Sequence, residues 1–553
     1  MDPVTTTMMV PNLLTATGLL ACLLPLSLTQ STTLTNPVIW QDHPDLDVFR
    51  VGNVFYYSSS TFAFSPGAPV LRSYDLANWE AVSHSVPTLN FGSSAFNLTS
   101  STNRAYVKGI WASTLNYRPA SDTFYWLGCI QGTGQTFVYS SPGRGAAQNA
   151  GEVSEWNWTQ RPSINNCYYD AGLLIDNDSA QTMYVAYGNT EIRVAQLSLS
   201  GNGDLREARS QLVFTGSETI EGARMYKRGG YYYILVTRPA DAEYVLRASS
   251  PWGPYTRRDL VVRIGGPLSQ AGFAHQGGMV DTPDGRWYYV AFLDAYPGGR
   301  IPVVAPLTWS SDGWPSLVRD SAGAWGRQYP IPVSTTKTIG KPLVPVVEDF
   351  RAARLGHNWE WNHNPDDSKW SLDGQGLVLR TATVTGDLFS ARNTLTHRTA
   401  GPKSSGTFRI DISRMQDGDR AGAVLFRDVA AYIGVHKAGN TATIVMVNNL
   451  NLVEGTWTTS STGTVAATGP AVTSGEIWLR VTADITPAFG TNTARQTTFS
   501  YSTDGRTFTS LGPSFGMTNS WRFFTGYRFG VFNFATKALG GEVRVKSFEM
   551  GLV

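Results

Sequence analysis

The sequence predicts an all-β chain, a five-bladed β-propeller followed by a jelly-roll β-sandwich, and three observations carry that prediction. Charged residues are only 16% of the 553 positions and aromatic residues 12%, with 55 Gly and 29 Pro. That is the composition of aromatic strands joined by tight turns. A short aromatic strand pattern recurs five times before residue 330. Beyond it, strands of two-residue alternation take over, and neither part contains a long amphipathic helix pattern. The same composition argues against a disordered chain, which lacks aromatics, and against a coiled coil. With 44 basic and 42 acidic residues, no general attraction to nucleic acid is expected.

At the N-terminus, Leu13 to Leu28 is apolar but interrupted by Thr15, Thr17, Gly18, Pro25 and Ser27, and the first basic residue is Arg50. Residues 1–30 are expected to form a secretory signal, although a positive n-region is missing; a fraying terminal helix is the alternative. The run is too interrupted to span a membrane, and no later segment offers a span. The expectation is a secreted, extracellular protein. Cys22 falls in the leader, leaving Cys129 and Cys167. One disulfide and two free thiols fit equally well. Asn97, Asn157 and Asn177 head sequons that secretion would make available for glycosylation.

Residues 31–329 carry the repeats Val54-Phe-Tyr-Tyr-Ser, Thr123-Phe-Tyr-Trp-Leu, Met183-Tyr-Val-Ala-Tyr, Tyr231-Tyr-Tyr-Ile-Leu and Trp287-Tyr-Tyr-Val-Ala. Aligned on Tyr56, Tyr125, Tyr184, Tyr232 and Tyr288, they are 69, 59, 48 and 56 residues apart. Gly52-Asn53, Ser121-Asp122, Gly229-Gly230 and Asp284-Gly285 precede four of them, so each reads as the second strand of a hairpin. Five units of this period suggest five four-stranded blades; a β-sandwich with coincidental tyrosine pairs is the alternative. Residues 330–345, rich in Pro and Thr, read as a linker. In residues 346–553, stretches such as Gly406-Thr-Phe-Arg-Ile-Asp-Ile, Ala421-Gly-Ala-Val-Leu-Phe-Arg and Ile477-Trp-Leu-Arg-Val-Thr-Ala-Asp alternate as strands with one wet and one dry face.

Three acidic positions stand out. Asp45 and Asp47 would share one face of a strand at the start of the first unit. Asp170 precedes the apolar run Ala-Gly-Leu-Leu-Ile, and Glu221 is followed by a Gly that lets the backbone pass closely. They come from three different repeat units, whose inner strands converge on a propeller's axis. Glycosidic hydrolysis needs one carboxyl group that protonates the leaving oxygen and another that activates water or attacks the anomeric carbon. A third carboxylate nearby raises the pKa of the acid by like-charge repulsion.

The segment Asn36-Pro-Val-Ile-Trp-Gln-Asp-His-Pro-Asp45-Leu-Asp-Val-Phe-Arg-Val-Gly resembles the opening motif of glycoside hydrolase family 43. Lys108-Gly-Ile-Trp111-Ala-Ser, Asp170 ahead of its strand, Glu221-Gly-Ala-Arg-Met-Tyr-Lys and Ala274-His275-Gln-Gly-Gly-Met-Val continue the resemblance in family order. It implies a five-bladed propeller that inverts configuration, with Asp45 as general base, Glu221 as general acid and Asp170 as pKa modulator. Leu46 and Ala171 replace the Pro that often follows the base and the modulator in the family. The resemblance also implies that Arg300 reaches toward substrate and the modulator carboxylate, and that His275 sits near the axis beside a calcium or its waters. Trp111 and Phe64 are candidates for the apolar walls of a sugar site.

Trp359-Glu-Trp-Asn-His-Asn-Pro-Asp, Phe499-Ser-Tyr-Ser-Thr-Asp-Gly and Phe524-Thr-Gly-Tyr-Arg-Phe-Gly-Val-Phe-Asn-Phe resemble the concanavalin-like sandwich that follows the propeller in many members. Such domains sometimes lend a loop to the active site or hold a structural calcium. Glu348 and Asp349 offer oxygen ligands, but Lys546 and Ser547 stand where a further Asp would be wanted. No cofactor is required, and calcium is the one ion the resemblance allows. Asp-Leu-Asp at the base, Ser58-Ser-Ser-Thr-Phe after it and Glu-Gly-Ala-Arg at the acid resemble the fungal-type branch of α-L-arabinofuranosidases acting on arabinoxylan and its oligosaccharides, doubly substituted xylose included. The alternatives are a β-D-xylosidase, a bifunctional xylosidase/arabinofuranosidase and, from another class, a carbohydrate-binding protein that has lost catalysis.

Overall fold

The computed structural model describes Met1 and residues 32–553, so the expected signal segment lies outside the described residues. Five four-stranded antiparallel sheets follow one another in the chain, and they are the blades of a propeller. Their innermost strands are Asp47–Val51, Thr114–Arg118, Gly172–Ile175, Glu221–Arg228 and Ala274–Asp281. The five aromatic repeats are the second strands: Val54–Ser58, Thr123–Cys129, Met183–Tyr187, Tyr231–Arg238 and Trp287–Asp294. The reason is burial. A second strand is paired on both edges and covered on both faces by neighbouring blades, and Val54–Ser58 and Met183–Tyr187 are buried throughout. Large side chains are therefore wanted on both faces, each worth about 1.5–3 kcal/mol when fully buried. The rings meet between blades: Tyr56 packs edge-on against Phe124 at 5.5 Å, and Tyr184 against Tyr232 at 6.2 Å.

The ring of blades is closed by Thr33–Thr35, which pairs antiparallel with Gln328–Pro330. Beside this pair the Asn36 amide donates to the Val304 and Gly326 carbonyls and accepts from Val304 N–H. Arg50 of the first blade and Asp281 of the fifth form an ion pair at 2.6 Å. Cys129 and Cys167 are joined in a disulfide, which ties the second blade to the segment entering the third. The stretch after Pro330 has no strand until Val346–Glu348. It is nonetheless anchored, because Gly340 and Lys341 donate backbone N–H groups to Glu80, and Lys337 pairs with Glu152.

The second half is a sandwich of a nine-stranded and an eight-stranded sheet. Strand Glu476–Asp484 alternates between dry and wet faces as expected, and Ile477, Leu479, Val481 and Ala483 enter the core beside Phe408 and Phe548. Ala421 to Phe426, expected to alternate likewise, is instead buried on both faces. The cause is the propeller. Its short strand Phe64–Ser65 pairs with Trp361 and Asn362 at the edge of the eight-stranded sheet. Phe64 and Tyr106 then join Val424, Phe426, Phe532 and Phe534 in a second core on that sheet's outer face. The two halves thus share a sheet and a core.

Candidate active site

Three carboxylates from three blades meet in one pocket, lined by Asp45, Phe62, Trp111, Tyr169, Asp170, Glu221, Gln276, Arg300 and Phe524. Asp45 does not lie in the strand with Asp47. It precedes the strand in a left-handed conformation, φ 54°, so the two aspartates do not share a face. Asp47 turns away and accepts hydrogen bonds from Thr114 Oγ1 (2.6 Å) and Leu115 N–H (3.0 Å). Asp170 repeats the geometry, φ 51°, two residues before the inner strand of the third blade. Left-handed backbone is unfavourable for residues with a Cβ, and here Arg224 holds it. This fully buried side chain donates to the carbonyls of Leu46 (3.0 Å), Asp45 (3.2 Å) and Ala171. Reading the Glu-Gly-Ala-Arg motif for its acid alone misses this support.

Glu221 opens the inner strand of the fourth blade, and its Oε2 accepts hydrogen bonds from Asn189 Nδ2 (2.8 Å) and Tyr169 Oη (3.2 Å). Gly222 has φ +70°, and a Cβ there would come within 2.8 Å of Gln276; this is the close passage the sequence suggested. Burial raises the Glu221 carboxyl above its ordinary range, the charge of Asp45 adds to this, and Tyr169, Arg300 and Asn189 offset it only in part. Asp170 is pushed well above the carboxylate range by burial and then by the negative charges of Glu221 and Asp45, against Arg224 and a 3.2 Å bond from Gly222 N–H. The group is built to retain a proton.

Arg300 lines the pocket, with a correction to its expected partner. Its two ion pairs run to Asp45 (2.6 Å) and Asp294 (3.4 Å), not to Asp170. It reaches Asp45 because it opens the third strand of the fifth blade, beside the entry to the first. Trp111 lines the pocket as expected, its indole N–H given to the Val107 carbonyl at 2.9 Å. Phe64 does not. It is buried in the contact with the sandwich under the guanidinium of Arg528, 3.7 Å from the ring centre. The aromatic wall is made by Phe62 and Phe524, stacked at 5.7 Å with planes 4° apart. Phe524 comes from the sandwich, 479 residues from Asp45; the lending of a loop was foreseeable from the resemblance, but not which residue arrives.

His275 is buried behind the wall, adjacent to the lining residue Gln276. Its Nδ1 donates to the Phe273 carbonyl at 2.9 Å, its ring packs on Phe292, and burial lowers its pKa. Among the described residues no three His, Cys, Asp or Glu side chains are grouped to hold a metal ion. The acids considered for calcium in the sandwich are turned to other partners: Glu348 caps Phe350 N–H, Asp349 caps Arg351 N–H, and Lys546 pairs with Glu476. A larger cavity lies along the axis beyond Asp47 and Arg224, but its acids are already paired, Asp47 with Thr114 and Asp281 with Arg50.

Comparison with known proteins agrees with this architecture. Residues 34–315 match the family described as glycosyl hydrolases family 43, and residues 347–550 match the beta xylosidase C-terminal concanavalin A-like domain. A protein named beta-xylosidase from Formosa agariphila is 27% identical over 93% of this chain and 90% of its own length. A non-reducing end alpha-L-arabinofuranosidase from Bacteroides ovatus is 30% identical over 63% of this chain and 64% of its own. Among solved structures, one is 64% identical with a TM-score of 0.91, covering 94% of this chain and all of that one. It is a GH43 glycoside hydrolase whose active site was engineered to display both endo-xylanase and exo-arabinofuranosidase activity.

Proposed function

The chain belongs to glycoside hydrolase family 43, and from that premise we propose that it removes α-L-arabinofuranosyl side chains from arabinoxylan with inversion at the anomeric carbon. The observation that carries the reading is the meeting of Asp45, Asp170 and Glu221 in one pocket, with Arg300 on the first and burial raising the other two. In the proposed reaction Glu221 gives its proton to the glycosidic oxygen as the bond to the anomeric carbon breaks. Asp45 takes a proton from the water that forms the new bond on the opposite face. Arg300 engages Oδ1 of Asp45 and orients the carboxylate. Once Glu221 is ionised, the Tyr169 and Asn189 donors stabilise it. Asp170, held above the ordinary range by burial and by Glu221 and Asp45, acts on Glu221 through the proton it keeps. Hydrolysis by two carboxyl groups and water needs no cofactor.

The arabinofuranosyl preference is supported by the exo-arabinofuranosidase activity named for the 64%-identical structure. A polymeric substrate is supported by Trp521, 44% exposed and packed on Phe524 at 5.7 Å, which carries the aromatic wall out to the surface. The names of several relatives favour a second reading, a β-D-xylosidase. We also propose that the protein is secreted, a reading the disulfide supports.

Proton NMR of wheat arabinoxylan during digestion tests the choice, beside Glu221→Gln as control. Loss of α-arabinofuranosyl anomeric signals, with free β-arabinose appearing first, is the expected result. Xylose released from chain ends would move the assignment to a xylosidase.

A further inference from the structure

Asp42 does not line the pocket, yet its buried carboxylate joins the parts of the wall that come from furthest apart. Oδ1 accepts the backbone N–H of Arg300 at 2.8 Å, and Oδ2 accepts the backbone N–H of Gly526 at 3.0 Å. The first of these residues carries the guanidinium on Asp45; the second lies two positions after Phe524. Asp42 is itself three residues before Asp45, and its carbonyl accepts Arg398 Nε at 2.7 Å. Neighbouring bonds hold the same junction: His43 N–H to the Arg300 carbonyl (3.0 Å) and Tyr296 Oη to the Phe524 carbonyl (3.0 Å). The loops touch at their glycines. A Cβ on Gly299 would lie 2.2 Å from Asp42 Oδ1, and one on Gly526 would lie 2.2 Å from the Gly298 carbonyl oxygen.

We infer that Asp42 is a positioning residue, which uses its two carboxylate oxygens to set Arg300 of the propeller and Phe524 of the sandwich in register across one sugar pocket. The inference rests on the reading of that pocket as catalytic. Its physical content is that both oxygens must be acceptors. Asp42→Asn keeps the shape but turns one of them into an N–H₂ group facing a backbone N–H, so one anchor is lost whichever way the amide lies.

The test is steady-state hydrolysis of p-nitrophenyl α-L-arabinofuranoside and p-nitrophenyl β-D-xyloside by the full chain. On whichever aryl glycoside the wild type cleaves, Asp42→Asn should lower kcat/KM about ten- to a hundredfold, the scale of a small misplacement in an active site, at a thermal midpoint close to that of the wild type. The same substitution in a Phe524→Ala background should cost at least about threefold less, because part of its effect runs through Phe524. A purely structural role would make the two losses multiply in full, and that result, or an unchanged kcat/KM, overturns the inference while the catalytic reading stands. Should Asp42→Asn fail to fold, Gly526→Ala puts the same question by pushing the loops apart; an unchanged kcat/KM there also overturns it. A wild type inactive on both glycosides and on arabinoxylan removes the catalytic reading and this inference with it.

Discussion

Buried carboxylates in two places, the pocket and the junction between propeller and sandwich, are held in opposite ways. In the pocket, Asp170 and Glu221 face one another and Asp45, and both are held above the ordinary carboxylate range, burial being the largest cause. In the junction, Glu360 is fully buried, and there too burial pushes its pKa up. Arg398 at 2.8 Å and Arg528 at 2.6 Å outweigh it, with His84 at 3.2 Å, and hold the carboxyl well below the usual range. Burial alone therefore does not mark a working acid. What marks it is burial left uncompensated, where a proton stays within reach of a sugar oxygen. The same burial with two guanidinium partners from the sandwich makes a clamp that reaches the propeller through His84 on Glu360 and through Arg398 on the Asp42 carbonyl.

The sharpest way to break this contrast is to remove the working groups. Glu221→Gln and Asp45→Asn should each lower turnover by about 10²–10⁴-fold, the range of general acid–base catalysis. Glu221→Gln should melt no earlier than the wild type, whereas Asp45→Asn, which takes from Arg300 its nearer counter-charge, should melt earlier. Activity within tenfold of wild type would mean that the pocket is not the catalytic centre. Next in size is the clamp. Glu360→Gln leaves two buried arginines without their counter-charge and should cost about 3–5 kcal/mol in urea unfolding. A loss below 1 kcal/mol would mean that the junction is effectively solvated.

Reduction of the Cys129–Cys167 disulfide, which closes a 38-residue separation, should cost about 2–4 kcal/mol. Cys167 lies three residues before Asp170, so activity in dithiothreitol should decline with the fraction reduced at temperatures where the reduced chain is still folded.

The smallest effects concern pH, and their signs are opposite in the two clusters. Asp170 and Glu221 have raised folded-state values, so their contribution to stability is present in acid and is lost as pH rises through those values. Asp170→Asn should therefore raise stability at pH 7, a gain that disappears in acid, while turnover falls. An Asp170→Asn variant less stable at pH 7 would contradict the strain assigned to the pocket. Glu360 is depressed, so its contribution is present at neutral pH and is lost as pH falls through its folded-state value. For activity, kcat/KM should decline on the alkaline side as the coupled carboxyls of Glu221 and Asp170 lose their shared proton.

Much of this was legible in the chain because it is local. The five aromatic repeats are second strands because a strand covered on both faces needs large apolar side chains in consecutive positions. Asp45, Asp170 and Glu221 could be picked out because each adjoins the start of an inner strand, and inner strands converge. Aromatic identity says nothing about direction: Phe62 enters the pocket, whereas Phe64, two residues on, enters the sandwich core. The strand through Ala421–Phe426 departs from one wet and one dry face because its second face is covered by a neighbour that alternation cannot reveal.

The sequence by itself determined the strand periodicity, the number of blades, the order of the three acids and the glycine beside Glu221, since backbone pleat and turn sterics act over a few residues. Only the tertiary structure decided that Arg300 engages Asp45, that Arg224 holds the carbonyls of both left-handed segments, and that Phe524 completes the wall. Those contacts join positions from 53 residues apart, for Arg224 and Ala171, to 255, for Arg300 and Asp45, and further still for Phe524 and Phe62. They depend on how whole blades and sheets pack, which no spacing along the chain encodes.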